Sequence, residues 1–133
     1  MARFLASRLA QYVECENAFG ELDAITFVPM SRAELKKRGF NQSLLLARLL
    51  AKLICVPLRG SIEKVRPTEP QVTLSAKERR RNLRGAFRLR RAGKGSILIV
   101  DDIYTTGSTV DERGRLLKDG GYGTVYVLTV AHS

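Results

Sequence analysis

The sequence contains no tryptophan, one histidine, two cysteines and four prolines in 133 residues. Cys15 and Cys55 stand far apart, neither in a Cys-x-x-Cys pair, and the single imidazole is the penultimate His132. The four ligands of a structural zinc site are therefore not available. A chain of this length suits one compact domain that can bury a core without disulfide staples. Both cysteines are accordingly expected to be free, buried packing residues in a reducing cytoplasm. Long hydrophobic runs are also missing. Each apolar stretch is broken well short of the roughly 20 residues that a membrane-spanning helix needs, so no membrane insertion is expected. The N-terminus carries Arg3 but soon meets Arg8, Gln11 and Glu14. It reads as an amphipathic helix rather than a secretion signal.

Acidic residues are in short supply. Thirteen Asp and Glu face 23 Lys and Arg, a formal net charge of +10. Such an excess points to an anionic partner, phosphates or nucleic acid or both. The charge is unevenly placed: Lys77 to Lys94 holds nine Lys and Arg against the single Glu78. A solvated helix face or a loop would show the same run. Aromatic residues are sparse, and the basic block contains only Phe87. A base-stacking platform for sequence-specific reading of a single strand is not expected there.

Apolar spacing predicts a helix over residues 2–16, with Leu5, Leu9 and Val13 on one face. Residues 24–28 read as a buried strand closed by Pro29, which has no N–H for a sheet ladder. Ser31 and Glu34 fit a capping box. A second helix is expected over 43–54, with Leu45, Leu49 and Leu53 in register. The stretch from Glu63 to Pro70 looks extended, and Ser75 with Glu78 forms a second capping box before a short basic helix. Ala86 to Leu89 reads as a short strand. Ile97 to Val100 is the clearest buried strand, with three β-branched residues of four. A helix over 109–118, ended by Gly120, Gly121 and Gly123, precedes a strand over 124–130. Strands alternating with helices predict an α/β fold with a mostly parallel sheet flanked by helices.

The chemistry concentrates after the Ile97–Val100 strand. Asp101 and Asp102 stand at its carboxyl end, a hydroxyl-rich turn follows, and a helix begins near Gly107. Ligands of open α/β sheets bind beyond the carboxyl ends of the strands. The free N–H groups of a helix start bind anions, and Gly107 lets backbone approach a phosphate closely. Thr105, Thr106, Ser108 and Thr109 add hydroxyl donors. Two acids beside a phosphate cradle would repel phosphate alone. They suit a sugar phosphate, with Asp101 and Asp102 accepting from ribose hydroxyls while residues 105–109 hold the 5′-phosphate. The Gly-x-x-x-x-Gly-Lys spacing of a nucleotide P-loop is missing.

The segment Val100-Asp-Asp-Ile-Tyr-Thr-Thr-Gly-Ser-Thr109 resembles the motif with which type I phosphoribosyltransferases bind 5-phosphoribosyl 1-pyrophosphate (PRPP). Arg38-Gly39-Phe40-Asn41-Gln42, Arg66-x-Thr68-x-x-Gln71 and Glu78-Arg79-x-x-Asn82-x-x-Gly85-Ala86-Phe87 are similar to blocks of the ComF/GntX family of competence-associated phosphoribosyltransferase-like proteins. The resemblance runs from about Val28 to Ala131 and implies a type I phosphoribosyltransferase fold in one domain. It implies pyrophosphate binding by the loop Pro29, Met30, Ser31 and Arg32. It makes residues 66–86 a flexible basic loop in which Arg79, Arg80, Arg81 and Arg84 clamp the anion. Mg2+ would be carried by PRPP, without a dedicated metal cage. Family members often carry an N-terminal four-cysteine zinc module that has no counterpart in these residues, as expected of either a short member or a truncated form. Purine-salvage relatives place an acid at the position of Thr105, and a threonine is no general base near pH 7, which disfavours 6-oxopurines as acceptors. Arg38, Phe40, Asn41 and Gln42 are candidates for base or acceptor contacts; equally, Phe40 fits a packing role and Asn41 and Gln42 fit helix capping.

Two functions follow from the resemblance. One is transfer of phosphoribosyl to a nitrogenous acceptor with release of pyrophosphate. The other is single-stranded-DNA binding during DNA uptake, with PRPP as ligand or regulator. The sequence leaves the oligomeric state open, a homo-oligomer included.

Overall fold

The computed structural model describes residues 2–15, 20–66, 75, 77–78, 85–102 and 107–130. In chain order the elements are α1 (Ala2–Cys15), β1 (Ala24–Phe27), α2 (Arg32–Arg38), α3 (Gln42–Ile54), β2 (Ile62–Lys64), β3 (Phe87–Leu89), β4 (Gly95–Asp102), α4 (Gly107–Asp119) and β5 (Tyr122–Val130).

β4 lies at the centre of a three-stranded sheet of order β1-β4-β5, parallel on both sides. Its period-2 alternation builds two cores. Leu98 and Val100, with Ile25 of β1, face Leu46, Ala47, Leu50 and Ala51 of α3 and Ala10 of α1. Ile97 and Ile99, with Ala24, face the other way, against Leu117 of α4 and against Ile62 and Phe87 of the β2–β3 pair. β2 and β3 pair antiparallel as a second, two-stranded sheet. On its other edge β1 meets the segment around Leu58 through Ile25 N–H to Pro57 O at 2.9 Å and Arg59 N–H to Ile25 O at 2.8 Å. Gly95 opens β4 at φ 83°, a left-handed conformation in which a Cβ would strike the Asp23 carboxylate. That carboxylate accepts from Ser96 N–H at 2.8 Å and fastens the start of β4 to β1.

The predicted elements that fall within the described residues are present with modest shifts in their ends, and the Ser31–Glu34 capping box forms with both of its hydrogen bonds; residues 67–70 of the extended stretch and most of the short basic helix after Ser75 lie outside the described residues. Two expectations are corrected. The buried stripe of α3 is Leu46 and Leu50, whereas Leu45 is 38% and Leu53 49% exposed. Both stripes have a spacing of four, and only tertiary packing against the sheet selects between them. Cys55 is not buried. It is an exposed free thiol that ends α3 in a left-handed conformation, φ 58° and ψ 42°. The Cys15 side chain and His132 lie outside the described residues. Of the second capping box, the Ser75 hydroxyl accepts from Glu78 N–H at 3.2 Å.

Candidate functional site at the carboxyl ends of β1 and β4

β4 ends at Asp102 and α4 begins at Gly107, so four residues join the central strand to a helix start. Gly107, Ser108 and Thr109 form the first turn of α4. This is the strand–turn–helix arrangement in which backbone N–H groups and the helix dipole collect negative charge. Thr105 and Thr106 lie outside the described residues, as do Arg79, Arg80, Arg81 and Arg84.

Asp101 follows Ile97 and Ile99 onto the α4 face of the sheet and is fully buried. Arg113 Nη2 donates to Asp101 Oδ2 at 3.2 Å, and neither side chain is accessible to solvent. The guanidinium lies 5.4 Å from the centre of the Phe87 ring. Its Nε and Nη1 have no hydrogen-bond partner among the described residues. Burial lowers the Arg113 pKa to about 10, against the opposing pull of Asp101. The guanidinium thus stays charged at neutral pH. Arg113 is absent from the residues that sequence reasoning singled out. A signal exists: it lies four residues before the buried Leu117, so both share the inner face of α4.

The loop after β1 is held from α3. Ser43, only 4% exposed, accepts from Val28 N–H at 2.9 Å and donates to Val100 O at 2.5 Å. Asn41 Nδ2 donates to Val28 O at 2.9 Å, and Asn41 Oδ1 accepts from Leu44 N–H at 3.2 Å as the N-cap of α3. Both backbone groups of Val28 and the carbonyl preceding Asp101 are therefore tied to one helix start. Asn41 thus serves as a cap and a clip. Nothing in the sequence pattern separated Ser43 from any other helical serine.

Within the predicted pyrophosphate loop, the hydroxyl and N–H of Ser31 are both taken up by the capping box with Glu34. Glu34 also pairs with Lys64 Nζ at 2.8 Å. Partial burial pushes the Glu34 carboxyl up, but the Lys64 hydrogen bond, the Ser31 N–H and the Lys64 charge outweigh it and hold the group below its ordinary value. Pro29, Met30 and Arg32 line a cavity of about 650 Å³, together with Phe40 and Asn41. Phe40 is 53% exposed, so it is not a core plug. Arg38 closes α2, and Gln42 opens α3 half-buried. Among the described residues no three of His, Cys, Asp and Glu gather into a metal-binding group. No described helix is long and apolar enough to cross a membrane.

Comparison with solved structures places this geometry in a class. The chain superposes on the purine phosphoribosyltransferase of Pyrococcus horikoshii with a TM-score of 0.54 and 18% identity, over 97% of this chain and 69% of that one. It also superposes on a glutamine PRPP amidotransferase from B. subtilis, solved with ADP and GMP, with a TM-score of 0.60 and 19% identity, over 96% and 25%. The fold is that of the type I phosphoribosyltransferases. No family model matches the chain. Sequence relatives narrow the class. DNA utilization protein YhgH of Salmonella typhi is 46% identical over 107 residues, 79% of this chain and 47% of that protein. Competence protein F of Haemophilus influenzae is 36% identical over 117 residues, 84% and 51%. Over these residues the chain is a homologue of these two proteins, consistent with a ComF-type phosphoribosyltransferase-like protein. It spans about half the length of the relatives it matches.

Proposed function

We propose that the chain binds PRPP at the carboxyl end of β4 and acts as a phosphoribosyltransferase-like protein of the competence type, working in the cytoplasm. The observation that carries this reading is the short passage from Asp101-Asp102 to the first turn of α4. It offers carboxylates for ribose hydroxyls beside a helix start for the 5′-phosphate. Asp101 is committed to Arg113, so the direct ribose contact falls to Asp102, with Asp101 and Arg113 fixing the strand end that presents it. Residues 105–109 receive the 5′-phosphate. Met30 and Arg32 meet the pyrophosphate, with the 66–86 segment supplying further cations.

In the transfer, a nitrogen of the acceptor bonds to ribose C1. The bond from C1 to the pyrophosphate oxygen breaks, and pyrophosphate leaves with the electron pair. The acceptor nitrogen gives up its proton to solvent or to the departing pyrophosphate. The chain contributes positioning and charge neutralisation. Magnesium, bound through the substrate's phosphates, would neutralise part of their charge. The test is pyrophosphate release from PRPP across a panel of nitrogenous bases. One base should give turnover that Asp102→Asn abolishes. Release that is equal in Asp102→Asn would refute the assignment.

A second reading is single-stranded-DNA binding with PRPP as ligand or regulator. The net charge of +10 favours it, as do the names of the relatives, one a DNA utilization protein and one a competence protein. A labelled oligonucleotide should then bind more weakly as salt rises, through counterion release. Lack of binding at low salt would remove it.

A further inference from the structure

The cavity beside the β1 loop has a chemistry that PRPP binding does not explain. It lies across β1 from β4, walled by the Gly60–Lys64 stretch, α2 and α3. Six large apolar side chains are exposed among the described residues, and three of them, Leu35, Phe40 and Leu45, line this one cavity. Clustering of exposed apolar area in a concave site marks a binding surface.

Its charges are arranged to the same end. Glu63 on the wall pairs with Arg88, and the neighbouring Glu34 pairs with Lys64. Arg32, Arg48 and Arg90 also line the cavity, and none makes an ion pair among the described residues. The acids of the site are neutralised and three of its guanidinium groups are not. Gly60 borders both Arg90 and Phe27: a Cβ there would make ordinary contacts at 3.9 Å with Arg90 Nη1 and 4.0 Å with Phe27 Cζ. A guanidinium and an aromatic ring thus meet at one spot.

We propose that this cavity is a second ligand site and takes a nucleoside 5′-phosphate. Open arginines recognise phosphate and also stack on planar bases. The exposed Phe40 ring offers a face for a base. An inorganic anion would leave the apolar wall unused, and a neutral aromatic would leave three cations unused. The site shares Pro29, Met30 and Arg32 with the loop assigned to pyrophosphate, so its occupant touches that loop from the side away from β4. Only this consequence rests on the PRPP reading; the cavity and its chemistry do not.

The experiment is calorimetric titration of the whole chain with adenosine 5′-monophosphate, adenosine and inorganic phosphate. The monophosphate should bind, and the other two about tenfold more weakly or worse. Phe40→Ala and Arg48→Ala alter exposed side chains, and each should weaken the nucleotide by about tenfold. Gly60→Leu should block the cavity with every arginine in place. Adenosine monophosphate also resembles a product of the proposed transfer, and Asp102→Asn separates the two sites. That variant should lose PRPP and keep the nucleotide. The proposal is overturned if inorganic phosphate binds as tightly as the nucleotide or if Asp102→Asn loses the nucleotide together with PRPP. It is equally overturned if a single-stranded oligonucleotide occupies the cavity while the mononucleotide does not.

Discussion

The carboxyl ends of β4 and β1 carry charge in opposite ways. At β4, Asp101 and Arg113 are both sealed from solvent and satisfy each other in part. At β1, Arg32, Arg48 and Arg90 surround an open cavity without ion-pair partners among the described residues. A buried pair fixes geometry, because removing either partner strands the other in a medium of low polarity. Open arginines fix nothing in the fold and remain available to a ligand.

The largest expected effect comes from breaking the buried pair. Arg113→Met should lower unfolding free energy by about 3–5 kcal/mol, since it leaves the Asp101 carboxylate without its cation. Denaturant unfolding measures this. The double variant Arg113→Met with Asp101→Leu should recover much of that loss. If the two single losses simply add, the pair is not coupled and the comparison fails.

Ser43→Ala should follow, at about 1–3 kcal/mol, because the Val28 N–H and Val100 carbonyl would lose their partner in the interior. Chemical-shift changes should concentrate at residues 28–32 and 100–102. Their absence would show that the loop holds its place without the clip.

A smaller effect is expected from Glu34. Its folded carboxyl sits below the ordinary value of 4.5, so the stability it adds is present above that value. It is lost as pH falls through the folded pKa. Glu34→Gln should therefore flatten the stability profile below about pH 4.5 and lower stability slightly at neutral pH. An unchanged acid limb would show that the Lys64 contact does not hold in solution. The smallest effect should be Arg48→Ala, within about 0.5 kcal/mol by thermal unfolding. A large loss there would mean that the open arginines also hold the fold together.

What was legible in the sequence was local. The capping box, the buried β4 strand and the strand-to-helix motif each depend on residues a few positions apart; the first two are present in the described backbone, as are the strand end and the helix start on either side of residues 103–106. The packing choices were not local. Leu45-Leu49-Leu53 and Leu46-Leu50 have the same spacing, and the sheet, absent from any single-helix pattern, selects the second. Asp101 was read as facing a ribose because the acids were considered as a pair. The alternation along β4 instead puts its side chain on the face covered by α4. The Ser43 clip joins residues 15 and 57 positions away, a separation at which periodicity carries no information.

The central claim is PRPP binding at the end of β4, and calorimetric titration with PRPP and magnesium tests it most directly. Saturable one-site binding is predicted, lost in Asp102→Asn and retained when Cys55 is replaced by Ser. Absence of binding, or binding of equal strength in Asp102→Asn, would contradict it.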